Sequence, residues 1–183
     1  SATLVGQANR KSASFVLTAW HCLADYRDLS QRIYFTLMPG SPDSQTREAV
    51  RVADGGGMHA DWALLRLTAP VPSALAQPLA VSQARGNPDS AIAMAGFSRN
   101  PGENHGDRQL SFDPRCHITT QHTRTTASDC AARKGASGGA VIQPGTGSPT
   151  ALLGVISEGN GEGVSIYVPT AVFLPEIESY LAD

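Results

Sequence analysis

The 183-residue chain carries a net charge of −2, only 16% charged side chains and no basic block, so it offers no electrostatic footprint for nucleic acid or an anionic membrane surface. No apolar run reaches the length a membrane-spanning helix needs. The length suits one large domain or one two-lobed unit, and 18 glycines with 12 prolines favour short strands joined by turns over a helical bundle.

Ala2 to Val5 and Phe15 to Thr18 are β-prone runs around a polar stretch and read as a hairpin. His21 to Tyr26 reads as a brief helical turn. Arg32 to Met38 is a strand ended by Pro39-Gly40, Glu48 to Val52 alternates as a second, and Trp62 to Leu67 is a buried third. Ala69 to Pro78, rich in proline and alanine, reads as a connector between two lobes. Ala91 to Phe97 is a strand running into a polar loop, Ser98 to Asp107. Arg115 to Thr120, Ala140 to Ile142, Ala151 to Ser157 and Val164 to Val168 follow as strands. Thr170 to Leu181 has helical spacing, with Thr170 as its N-cap and Pro175 near its start. About twelve strands and one terminal helix make an all-β protein of two small barrels or sandwiches.

The chemistry centres on Arg133-Lys134-Gly135-Ala136-Ser137-Gly138-Gly139. A serine among glycines can be exposed on a sharp turn, and such a turn can aim successive N–H groups at an oxyanion. A serine hydroxyl needs a base, and the base an orienting group. Of the five histidines, His21 alone closes a strand-like run, in Thr18-Ala19-Trp20-His21-Cys22. Asp61 stands at the mouth of the apolar run Trp62-Ala63-Leu64-Leu65.

In the order His, Asp, Ser, these three segments resemble the Thr-Ala-Ala-His-Cys, Asp-Ile-Ala-Leu-Leu and Gly-Asp-Ser-Gly-Gly-Pro-Val motifs of the trypsin-like (chymotrypsin-fold) serine peptidases. Ala95-Gly96-Phe97 and Gly154-Val155-Ile156-Ser157 extend the resemblance over nearly the whole chain. It implies two six-stranded antiparallel β-barrels with a C-terminal helix. Residues 1–72 would carry His21 and Asp61, and residues 73–183 would carry Ser137. It implies a serine endopeptidase acting on polypeptides through an acyl-enzyme. Ser137 would be the nucleophile, His21 the general base and then acid, and Asp61 the group holding the imidazole tautomer. The N–H groups of Gly135 and Ser137 would form the oxyanion hole, each donor contributing about 2.7–4 kcal/mol. Ser157 would hydrogen-bond Asp61 and help form the edge that pairs with substrate backbone. The specificity pocket would have Ala131 at its base and walls from Ser157, Glu158, Gly159 and Ser165, favouring a small or medium apolar residue before the scissile bond. Glu158 could instead favour a basic residue or disturb substrate pairing. No cofactor is implied.

Departures from the family set the remaining expectations. Ala136 stands where many members have an aspartate that pairs with a freed amino terminus, and the chain starts 20 residues before His21. That activating pair is not expected; the loop is formed constitutively, or ordered by a partner or an N-terminal segment. A latent or non-catalytic peptide-binding protein on the same fold is the alternative. An esterase would need the order Ser, Asp, His and a helix after the serine, and is rejected.

Three cysteines leave one thiol over if a bridge forms. Cys22 lacks its usual partner and reads as a free buried thiol. Cys130, seven residues before Ser137 and preceded by Asp129, resembles the bacterial secreted branch that includes glutamyl endopeptidases. Pairing of Cys130 with Cys116 is expected on that ground; the alternative is three reduced thiols in a cytosolic protein. A secreted or periplasmic protein is expected, its signal peptide not in this chain. His117 and His122 near Cys116 match no familiar zinc spacing, and no metal is expected.

Overall fold

The computed structural model describes residues 1–7, 9–26, 31–99, 108–144 and 150–182. They form two curled antiparallel sheets and one C-terminal helix. The first sheet has the order β1-β2-β5-β4-β3, from β1 (Thr3–Val5), β2 (Ser12–Thr18), β3 (Ile33–Leu37), β4 (Gln45–Asp54) and β5 (Ala63–Pro72). The second contains β6 (Ala80–Val81), β7 (Ile92–Arg99), β8 (Arg108–Cys116), β9 (Ile118–Gln121), β10 (Thr126–Ser128), β11 (Ala140–Gln143), β12 (Ala151–Gly159) and β13 (Ser165–Pro169). Its path is β8-β7-β11-β12-β13-β10-β9, with β6 parallel to β12. The chymotrypsin-like architecture holds. Where the resemblance implies six strands per barrel, the described residues form five in one sheet and eight in the other.

Three sequence expectations need correction. The connector expected over 69–78 begins inside β5. Val71 is fully buried and Pro72 pairs with Ser12, so the strand outlasts its apolar core. The single strand expected over 115–120 is two, β8 and β9, separated at His117. Thr170 does not cap α1 (Thr170–Ala182): its buried hydroxyl donates to the carbonyls of Ser82 and Leu153 instead. Most of the expected loop 98–107 lies outside the described residues, while Ser98 belongs to β7.

One apolar cluster joins both sheets to the helix. Val5, Leu17, Trp62 and Leu64 of the first half meet Leu152, Val155 and Val168 of the second and Phe173 and Ile177 of α1. Trp62 stacks on Phe173 with ring centroids 4.8 Å apart and planes 16° from parallel. Burying such large apolar faces contributes about 25 cal/mol per Å² removed from water, so this cluster is the main bond between the halves.

The pairing places the polar residues. Thr18 at the end of β2 sits opposite Ala63 at the start of β5, which brings His21, three residues on, beside Asp61, two residues earlier. Ala140 of β11 pairs with Val155 of β12, so the serine loop before β11 lies beside the end of β12. There the register with β13 shifts between Ile156 and Glu158, leaving Ser157 without a cross-strand partner. A bulge of this kind re-aims a side chain and commonly sits beside a site.

Candidate active site

Asp61 is completely buried, and its carboxylate accepts three hydrogen bonds. The His21 backbone N–H donates to Oδ1 at 2.9 Å. His21 Nδ1 lies 2.8 Å from Oδ2. The Ser157 hydroxyl also donates to Oδ2. A buried carboxylate is tolerable only when so paired. Two contacts from one residue fix both the position and the ring orientation of His21. The His21 side chain remains 32% exposed, so its Nε2 edge stays reachable from solvent.

The serine loop is built from tight turns. Ala136 N–H donates to Arg133 O at 2.9 Å and Gly139 N–H to Ala136 O at 2.8 Å. Gly138 N–H reaches Ile156 O at 2.7 Å and ties the loop to β12. Gly135 and Gly138 have φ of 100° and 82°, the left-handed region where a side chain is strained. At Gly138 a Cβ would also lie 2.1 Å from Ser1 O and 2.4 Å from Thr18 Oγ1, so only glycine fits. Among the described residues, the N–H groups of Gly135 and Ser137 donate to no protein acceptor. The Ser137 hydroxyl donates to Ser157 O at 3.1 Å, so it must rotate to reach an imidazole.

His21 and Ser137 line one open cleft of about 490 Å³, with Gly135, Ser157, Glu158 and Gly159. Arg133 and Lys134, at the head of the serine run, line it too, as does Met58, which nothing in its local sequence marks. Two residues expected at the pocket lie elsewhere. Ala131 opens onto a separate cleft of about 440 Å³, and its N–H donates to Asp113 Oδ2 at 2.8 Å. Ser165 is fully buried, its hydroxyl accepting from Ala132 N–H at 3.0 Å and donating to Cys130 O at 2.6 Å. Gly159 packs against Ala132: a Cβ there would lie 2.3 Å from Ala132 O, which accepts the Gly161 N–H at 3.0 Å. Backbone meets backbone at this point.

Cys22 is exposed, not buried. The 3-10 turn Trp20–Leu23 sends Leu23 inward and leaves Cys22 exposed on a neighbouring face that Ser1 and Thr18 also line, with Sγ 3.9 Å from His21 Nε2 and 3.7 Å from Ser137 O. Cys116 and Cys130 form a disulfide across a sequence separation of 14. Asp129 lies beside that pair, but two of these three potential metal ligands are in the bridge. On a chain-entropy basis the bridge contributes about 3 kcal/mol. The double variant Cys116→Ala/Cys130→Ala is expected to melt about 6–12 °C lower. An unchanged melting temperature would remove the bridge from the stability account. Beneath the cleft, burial pushes the Tyr167 phenol up to about 12, which keeps it neutral at ordinary pH.

Residues 1–152 match the sequence profile of the trypsin-like peptidase domain. No curated protein sequence matches significantly. Among solved structures, the fold is similar to a thermostable serine protease, AL20, from an extremophilic microorganism. The TM-score is 0.69 at 18% identity, over 98% of this chain and 88% of that one.

Proposed function

Because the chain belongs to the trypsin-like peptidase domain family, we propose that it is a serine endopeptidase that cleaves polypeptides by an acyl-enzyme route. The carrying observation is the buried Asp61 held on His21 Nδ1, with His21 and Ser137 on one cleft. In this reading, Ser137 Oγ turns from Ser157 O toward His21 Nε2 and attacks the scissile carbonyl as the imidazole takes its proton. The charged imidazole then forms against the Asp61 carboxylate and later returns the proton to the leaving amine. The free N–H groups of Gly135 and Ser137 suit the developing oxyanion. The two sheets are read as two units divided after Pro72, residues 1–72 and 73–183. The disulfide supports an oxidising compartment, outside the cell or in a periplasm.

The contact of Gly159 with Ala132 supports a small residue before the scissile bond. On a peptide library, glycine, alanine and serine at that position are expected to exceed Phe, Lys and Glu by at least roughly ten-fold. A fluorophosphonate is expected to label Ser137 in the same preparation. The absence of both hydrolysis and labelling in folded protein would defeat the peptidase reading and favour the peptide-binding alternative. Efficient cleavage after glutamate would defeat only the small-residue preference and place the chain with the glutamyl endopeptidases.

A further inference from the structure

Within the serine loop, the buried methyl of Ala136 has no polar reach. The loop nevertheless contains Gly135 at φ 100°, a residue with wide conformational freedom. A rigid oxyanion site needs that freedom removed. Internal turns fix the N–H groups of Ala136 and Gly139, and β12 fixes that of Gly138, but these bonds leave the carbonyls of Gly135 and Ser137 to be held by something else.

Both carbonyls are held from the opposite side of the chain. The Ser1 nitrogen donates to Ser137 O at 2.7 Å. The Ser1 hydroxyl donates to Gly135 O at 2.9 Å and accepts from the Phe97 N–H at 2.8 Å. The Ser1 carbonyl in turn accepts from the buried Thr18 hydroxyl at 2.7 Å. Gly138 is open enough to admit these groups only because it has no side chain. One residue thus bridges β2, β7 and the serine loop.

We propose that Ser1 and Thr18 are positioning residues that hold the Ser137 loop in the shape the reaction needs. The inference rests on Ser137 being the nucleophile. Ser1 acts through Gly135 and Ser137 and touches no substrate. By holding the Gly135 carbonyl it restricts the torsions that aim the neighbouring N–H groups. The loss should therefore appear in turnover more than in ground-state binding.

The test uses the full chain with Ser1→Ala and Thr18→Val, and the conservative Ser1→Thr and Thr18→Ser as rescues. For Ser1→Ala, kcat and the rate of fluorophosphonate labelling are expected to fall about ten-fold with KM within about two-fold. Ser1→Thr is expected to restore most of both. Thr18→Val is expected to act in the same direction more weakly, and it serves if Ser1→Ala does not fold. Amide hydrogen exchange over residues 133–139 is expected to speed up in both variants, measured well below their melting temperatures. This readout does not require activity. If the parent protein neither hydrolyses nor labels, the peptidase reading fails, and exchange still decides whether the clamp exists. Unchanged exchange at 133–139 overturns the proposal, as does unchanged kcat in an active protein.

Discussion

Ser137→Ala is expected to lower kcat by about 10⁶-fold and to abolish fluorophosphonate labelling, with little change in melting temperature. The hydroxyl makes one hydrogen bond, to Ser157 O, and that carbonyl lies at the cleft where water can replace the lost donor. Stability should therefore survive while chemistry does not. Some hydrolysis above the water rate is still expected, because the Gly135 N–H and the substrate cleft remain. The measurement is steady-state hydrolysis of a good library peptide beside an intact-mass check of labelling. A variant retaining a tenth of the parent activity would remove Ser137 from the nucleophile role.

Asp61→Asn is expected to cost about 10⁴-fold in kcat, or about 5.4 kcal/mol of transition-state stabilisation. The argument lies in the donor count. All three groups around the carboxylate are donors: the His21 N–H, His21 Nδ1–H and the Ser157 hydroxyl. An amide offers one oxygen and one NH₂. Whichever way it is placed, its NH₂ faces a donor, and either the backbone or the Nδ1–H contact is lost. The imidazole then favours the wrong tautomer. The stability cost should be about 1–3 kcal/mol for the buried group left unpaired. KM should change little. Loss of less than ten-fold in kcat would show that Asp61 is structural.

Much of this site was legible because its residues sit at strand ends. A strand such as β5 announces itself by its apolar run, and Asp61 lies just before it. The same local logic places His21 after β2 and Ser137 before β11. The unread parts depend on long-range geometry. Ser1 meets Gly135 across 134 residues, and no local pattern marks such a contact. The sequence places Cys22 in the interior, but its exposure depends on the rotation of one 3-10 turn. The close approach of Gly159, at the end of β12, to Ala132 is a contact between separate segments, which no single motif encodes. Strand β8 was missed because it is an edge strand containing Pro114, with Leu110 and Phe112 turned to solvent. Proline is tolerated on an edge, and it sits after an alternating run whose apolar face, Leu110 and Phe112, is turned to solvent and not to the core.

The stack of Trp62 on Phe173 bears on the order in which the site becomes complete. Trp62 is the chain neighbour of Asp61, so the ring that α1 grips anchors the residue orienting His21. During synthesis, His21, Asp61 and Ser137 all leave the ribosome before Phe173 does. A nascent chain therefore holds all three polar side chains while still lacking the aromatic brace behind them. The strand β13 and helix α1, which emerge after Ser137, turn a collection of polar side chains into a fixed one.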